Sequence, residues 1–180
     1  MKGVIFTEFI EMVESQLSPE LADEILTMAD LSSGGSYTAV GTYPHTEMLE
    51  LVTLLSEKTA TPVNELCWAF GKYLFGHFAE QYGEFFDGVD NAYDFLMQIE
   101  GHVHAEVLKL YPEAELPTFD TQLVDKDTLA MTYRSRRPFA DVALGLMQGC
   151  VAHFHEDILI SEMEMPPHDR THVQFTLKRA

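Results

Sequence analysis

Two groups of residues in this chain have the types and spacing to hold a ligand. The first is centred on His104. Read as a helix, its segment sets Met97, Gly101, His104, Leu108 and Tyr111 on one side, because residues three and four apart are helical neighbours. His102 falls with Gln98, Glu106 and Lys109 on a polar side that faces water. Gly101 precedes His104 by one turn and leaves space for a flat ligand to lie against the helix while the imidazole reaches its centre. Taken alone, His104 is read more simply as a partly buried histidine with a hydrogen bond. The pair His102 and His104 makes a poor zinc site, since helical residues two apart point in different directions.

The second group is Tyr133-Arg134-Ser135-Arg136-Arg137. As a strand, it projects Tyr133, Ser135 and Arg137 from one face. A phenol, a hydroxyl and a guanidinium in a row suit a ligand with paired carboxylates, because Arg grips a carboxylate with two parallel hydrogen bonds. Arg134 and Arg136 then face the other way. A surface strand whose arginines balance nearby acidic residues is an equally good reading of the segment by itself.

The elements that must position these groups are legible in outline. Phe6, Phe9, Ile10, Val13 and Leu17 recur at helical spacing, and Ser18-Pro19 opens a second helix with Leu21, Ile25 and Met28. Ser32 to Ser36 is a loop, and Glu47 to Lys58 a third helix with Leu51, Leu54 and Leu55. Thr61-Pro62 starts a fourth helix reaching about Glu80, apolar all round and so buried on several sides. A fifth runs from about Ala92 to Leu110 and stops at Tyr111-Pro112. Strands follow at Gln122–Val124 and Leu129–Ser135, joined by the turn at Asp125, Lys126 and Asp127. Pro138 opens a long helix to about His155, and Ile158–Met163 with His172–Leu177 finish as a strand pair. Helices first, then an antiparallel sheet crossed by one helix, is an α+β arrangement.

Composition narrows the possible partners. With 180 residues and a 46% apolar share, the chain can build a substantial core. Its 29 acidic residues against 11 basic ones give a net charge of −18, which opposes nucleic acid and anionic membranes as partners. No apolar run is long enough for a membrane span. The N-terminal apolar stretch is interrupted by Glu8, Glu11 and Glu14, unlike a secretory signal. Cys67 and Cys150 lie far apart in apolar helical surroundings and are read as two buried thiols, consistent with a cytoplasmic location.

The conjunction of the two groups is more specific than either. A helical His104 followed by Tyr133-x-Ser135-x-Arg137 resembles the H-NOX family of haem-nitric oxide/oxygen binding domains, related to the haem domain of soluble guanylate cyclase. The resemblance covers the whole chain. It takes in Met1-Lys2-Gly3, Ala69-Phe70-Gly71, His104, Pro117, the Tyr133/Ser135/Arg137 motif and Gly145-Leu146. It implies a single domain over residues 1–180. A helical N-terminal lobe over about 1–62 would be followed by the haem-ligating helices and sheet over about 63–180, with haem b between them. His104 would ligate the iron, Tyr133, Ser135 and Arg137 would bind the propionates, and Pro117 would pack against the haem and bend it. Ile5 and Phe78 match pocket-lining positions. The chemistry agrees, since haem presents an apolar face, an open iron position and two carboxylates.

Oxygen-binding members carry a distal tyrosine at a position that is Val142 here, and other distal polar positions match Phe9 and Leu74. Apolar residues there resemble the branch selective for nitric oxide, because bound oxygen needs a hydrogen-bond donor. Tyr73 and His77 lie near in sequence and leave an oxygen sensor open as an alternative. The resemblance implies a gas sensor, not an enzyme, taking NO and CO. NO would weaken the iron–His104 bond, and the shift would be read by a separate histidine kinase or diguanylate cyclase. No cysteine follows Cys150, so the family's C-terminal zinc site is not expected, and His153, His155, His168 and His172 are read as surface histidines. A peroxidase or oxygenase would need a distal acid–base pair that does not stand out. A haem-free module holding an apolar carboxylate through Arg137 is the remaining alternative.

Overall fold

The structure, a computed structural model, describes all 180 residues. Its α+β architecture comprises seven α-helices and one four-stranded antiparallel sheet. Packing divides the chain into two compact units, Met1–Phe70 and Gly71–Ala180.

The first unit contains α1 (Gly3–Gln16), α2 (Pro19–Met28), α3 (His45–Thr59) and the opening turns of α4 (Val63–Gln81). The spacing of Phe6, Phe9, Met12 and Val13 buries one stripe of α1, and Met48, Leu51, Val52 and Leu55 do the same for α3. Ser18 caps α2, its Oγ accepting the Leu21 amide at 3.1 Å, with Pro19 in the first turn. No side chain caps α1. Instead the amides of Gly3 and Val4 donate to the carbonyls of Gly41 and Ala39 at 2.8 and 3.0 Å. That loop lies so close that a Cβ on Gly3 would sit 1.8 Å from the Thr38 carbonyl oxygen. The Ser32–Ser36 loop is tied to the buried Glu47 of α3, whose carboxylate accepts from the hydroxyls of Ser32, Ser33 and Tyr37 and from the Ser33 amide. Burial alone would raise the Glu47 pKa. These donors outweigh it and bring it down to about 2, so a charged carboxylate is held inside the unit.

The second unit holds the rest of α4, a 3-10 turn (Gly83–Phe86), α5 (Ala92–Met97), a π turn (Ile99–Val103) and α6 (His104–Leu110). Strands β1 (Thr118–Asp125), β2 (Thr128–Arg134), β3 (Ile158–Glu164) and β4 (His172–Arg179) form a sheet ordered β1-β2-β4-β3, with α7 (Ala140–His153) between β2 and β3 in sequence. Alternation buries Leu129, Met131 and Tyr133 of β2 and Val173, Phe175 and Leu177 of β4. These form a core with Tyr93, Phe95 and Leu96 of α5 and Ala140, Ala143, Met147 and Cys150 of α7. Burial pushes the Cys150 thiol well up, so it stays protonated. No helix is long and apolar enough to cross a membrane.

Three local departures from the sequence reading bear on the site. The single helix expected over Ala92–Leu110 is divided, because the π turn carries i to i+5 bonds from the amides of Val103 and His104 to the carbonyls of Gln98 and Ile99. One extra residue in the turn rotates everything after it relative to a regular helix. Strand β1 begins at Thr118, ahead of the expected Gln122. Its outward residues Thr118, Asp120 and Gln122 face only half-buried Phe119 and Thr121, so the apolar alternation is weak. Strand β2 stops at Arg134, and Ser135–Arg137 is a turn closed by the Arg137 amide donating to Ser135 Oγ at 3.1 Å. A period-two display of Tyr133, Ser135 and Arg137 on a strand face is therefore replaced by a strand end and a turn.

Within this unit α7 touches α4 backbone to backbone. A Cβ on Gly71 would lie 2.1 Å from the Val142 carbonyl oxygen and 2.9 Å from Gly145 Cα, whereas one on Gly76 of the same helix would meet nothing. Gly71→Ala should therefore cost about 2–3 kcal/mol through overpacking against atoms that cannot yield. Gly76→Ala should be neutral or stabilise by up to about 1 kcal/mol through helix propensity. Thermal denaturation of the two variants checks this, and equal effects would contradict the close approach.

Candidate functional site

The chemistry-bearing residues of the second unit converge on one cavity of about 550 Å³. Its lining includes Glu100 of the π turn, His104 and Leu108 of α6, Ala114–Thr118 before and at the start of β1, and Arg134–Arg137 at the end of β2. The volume is in the range of small-molecule sites.

His104 is the first residue of α6, and its side chain is only 15% exposed. Its Nδ1 lies 2.9 Å from Glu100 Oε1, and the same oxygen accepts the Phe119 amide of β1 at 2.9 Å. A carboxylate accepts, so the neutral ring is the Nδ1–H tautomer and its Nε2 lone pair is the one left to bind a Lewis acid. Burial holds the His104 pKa below its usual value, with Glu100 opposing that shift, so the neutral ring is favoured near neutrality. The Phe119 ring, 6.0 Å away by centroid, closes one side of the imidazole.

The neighbours that accompany His104 on the cavity differ from those expected. Leu108 shares the cavity with it, but Met97, Gly101 and Tyr111 do not line it, and Glu100 takes the place expected for Gly101. His102 is exposed on another side, with its ring edge-on to Phe85 at 5.4 Å. Glu100 is the residue that sequence reasoning missed here. Its i, i+4 spacing to His104 was the available signal.

At the other end of the lining, Arg137 is 13% exposed on its side chain. Its Nη2 donates to Glu115 Oε2 at 2.6 Å and its Nη1 to the Glu115 carbonyl at 2.9 Å. One arm of the fork thus holds a carboxylate oxygen and the other a main-chain carbonyl, both supplied by Glu115. Tyr133 stands behind the turn in the core. Its hydroxyl donates to the Arg137 carbonyl at 3.2 Å, and burial pushes the phenol pKa up, so the group stays a neutral donor. Arg134 and Arg136 are both exposed, Arg136 with its Nη1 3.6 Å from Glu115 Oε1, and both border the cavity with Arg137. Pro117 lies on the same lining.

The remaining sequence candidates lie elsewhere. Leu74 and Phe78 are on the second-unit part of α4, Leu74 buried and Phe78 half-buried beside His77 and Tyr82. Val142, on α7, is half-buried, with its carbonyl against Gly71. Ile5 and Phe9 belong to α1 of the first unit, where Phe9 packs edge-to-face on Phe70 at 5.3 Å. His153 packs its ring on Phe86 at 4.7 Å, and His172 Nδ1 lies 3.3 Å from the Pro166 carbonyl. No three His, Cys, Asp or Glu side chains gather as a metal cluster.

Comparison with known proteins is consistent along the chain. The family model described as Haem-NO-binding matches residues 2–162. The crystal structure of the Fe(II) unliganded H-NOX protein from K. algicida is 36% identical, with a TM-score of 0.94 over 100% of this chain and 97% of that one. The H-NOX protein from S. oneidensis in the Fe(II)NO state is 28% identical, with a TM-score of 0.91 over 100% of this chain and 99% of its own. The solution structure of the IWP-051-bound H-NOX from Shewanella woodyi in the Fe(II)CO state is 40% identical, with a TM-score of 0.84 over 100% and 95%. Among curated proteins, none matches. A family model over most of the chain and full-length likeness to structures of that family agree with the histidine and arginine cavity, and the chain belongs to the Haem-NO-binding, or H-NOX, family of haem-based gas sensors.

Proposed function

We propose that this chain binds one b-type haem through His104, senses nitric oxide and passes the signal to a separate protein. The observation that carries the reading is one cavity offering both a histidine held by its Nδ1 and a guanidinium fork engaged with a carboxylate. Those residues fit a haem. Nε2 of His104 would be the axial ligand, and Arg137 would exchange the Glu115 carboxylate for a propionate, with the hydroxyls of Ser135 and Tyr133 near the same turn. Arg134 and Arg136 add positive charge at the propionate end, and Pro117 offers an apolar contact. Bound ferrous haem supplies an open iron position for a diatomic gas.

Selectivity is assigned to the apolar character of Leu74, Phe78 and Val142. Ile5 and Phe9 keep the roles that the family resemblance gives them. None of these side chains can donate a hydrogen bond, so oxygen would find no stabilising partner among them, whereas nitric oxide needs none. The S. oneidensis and S. woodyi proteins were characterised with NO and CO respectively, which supports the same gases here. His104 opens α6, a helix with no buried residue, so a displacement of its imidazole passes into a segment with little to resist it. The reading is of a sensor and not a catalyst. An acidic chain of net charge −18 suits a partner with a positive docking patch, such as a histidine kinase or a diguanylate cyclase.

His104→Gly should lose haem or take it up only with added imidazole, while His102→Gly should keep the unmodified absorbance spectrum. The reverse result would move the ligand to the other histidine. Arg137→Ala should weaken haem binding by about 1.5–3 kcal/mol for each charged hydrogen bond lost, read by haem transfer to an acceptor protein. An unchanged transfer rate would remove Arg137 from the clamp. The ferrous protein should change its Soret absorbance with NO and with CO but show no long-lived new form in air. A stable oxygen-dependent spectrum would make the chain an oxygen sensor, with Tyr73 and His77 the first donors to test.

A further inference from the structure

The Glu100 carboxylate is not one of the residues that the proposed haem site needs in order to hold the group, yet one of its oxygens ties two elements together. Oε1 lies 2.9 Å from His104 Nδ1 and accepts the Phe119 amide at 2.9 Å. Glu100 lies in the π turn and His104 follows that turn directly, four residues on, and both lie on the cavity lining with the carboxylate beside the imidazole. The amide of Phe119, on β1, fixes the carboxylate from the side of the sheet. The glutamate therefore cannot rotate away without breaking a second bond.

We propose that Glu100 is the positioning residue for His104 and sets its strength as an axial ligand. This rests on the haem reading above. A carboxylate that accepts from Nδ1–H fixes the tautomer and ring orientation and raises the basicity of the other nitrogen. A more basic Nε2 binds ferric iron more strongly relative to ferrous iron, because the higher charge gains more from a stronger donor. Glu100 thereby holds the iron–histidine bond strong and the reduction potential low. The bond that a gas sensor must weaken is under the control of a charged group anchored to β1. A neutral acceptor at position 100 would leave the geometry and lower the donor strength.

The test uses the haem-loaded protein and compares Glu100→Gln with Glu100→Ala. The iron–histidine stretching band of the ferrous form and the ferric/ferrous midpoint potential are the readouts. Glu100→Gln keeps an oxygen for both donors, so thermal stability should hold while the stretch falls in frequency and the potential rises. A tenfold loss of the ferric over ferrous preference appears as about 59 mV for one electron. Glu100→Ala should move both readouts further and also lower stability, since the Phe119 amide loses its acceptor. Haem bound through His104 with both readouts unmoved in the two variants would overturn the proposal and leave the haem reading standing. A loss of stability in Glu100→Ala with no shift in potential would assign Glu100 a structural role only and likewise overturn it. Failure of the unmodified protein to take up haem, or an iron–histidine band that survives His104→Gly, would remove the haem reading and the proposal together.

Discussion

The pairing of Phe119 with Tyr133 across β1 and β2 is the contact on which the cavity depends. From Phe119 the connection runs through its amide to Glu100 and on to His104. From Tyr133 it runs through the phenol to the Arg137 carbonyl, and the Arg137 amide returns to Ser135. The two rings lie 5.6 Å apart between these branches. A histidine from a helix and an arginine from a turn are thus held on one lining by a strand pair, although they are far apart in sequence. A slip of one residue between β1 and β2 would turn Phe119 or Tyr133 to the opposite face and separate the two groups.

Rigidity is distributed unevenly around that pair. β2 and β4 bury every second residue, and α7 closes over them with Ala140, Ala143, Met147 and Cys150. The π turn and α6 contribute no buried residue at all, and Leu110 is 72% exposed. The arginine side of the cavity is therefore built on the core, while the histidine side joins it through half-buried Ile99 and Val103 and through the Glu100 hydrogen bonds to His104 and Phe119. Such a division suits a site whose one wall must stay and whose other wall must respond.

Much of this was legible in the residues. The helices around Phe6, Ile25 and Leu51, and the strands around Met131 and Phe175, follow from apolar spacing, because each buries one stripe or one face, whereas α4, expected to be buried on several sides, buries the single stripe of Leu66, Cys67, Phe70, Leu74 and Phe75. The candidate residues His104 and Arg137 were legible as types in a sparse chemical background. What escaped was geometry that spacing does not encode. A π turn leaves no mark in a pattern read at a period of 3.6 residues, and Glu100, four residues before His104, was passed over for Gly101, three before it. β2 ends at Arg134, where the Ser135 hydroxyl accepts the Arg137 amide, and three successive polar residues concealed the turn. The approach of α7 to α4 shows in the sequence only as Gly71 and Gly145, whose meaning required the distance between them.

Charge adds a second constraint. In a chain of net charge −18, three arginines line this cavity and two of them pair with Glu115. Three basic residues on one lining of an otherwise acidic chain suit a ligand that carries carboxylates. The most direct test of the whole account is a crystal structure of the protein reconstituted with haem. The account predicts iron on His104 Nε2, with Nδ1 still on Glu100, and Arg137 transferred from Glu115 to a propionate. Iron held by another side chain, or Arg137 still on Glu115 with the propionates elsewhere, would contradict it.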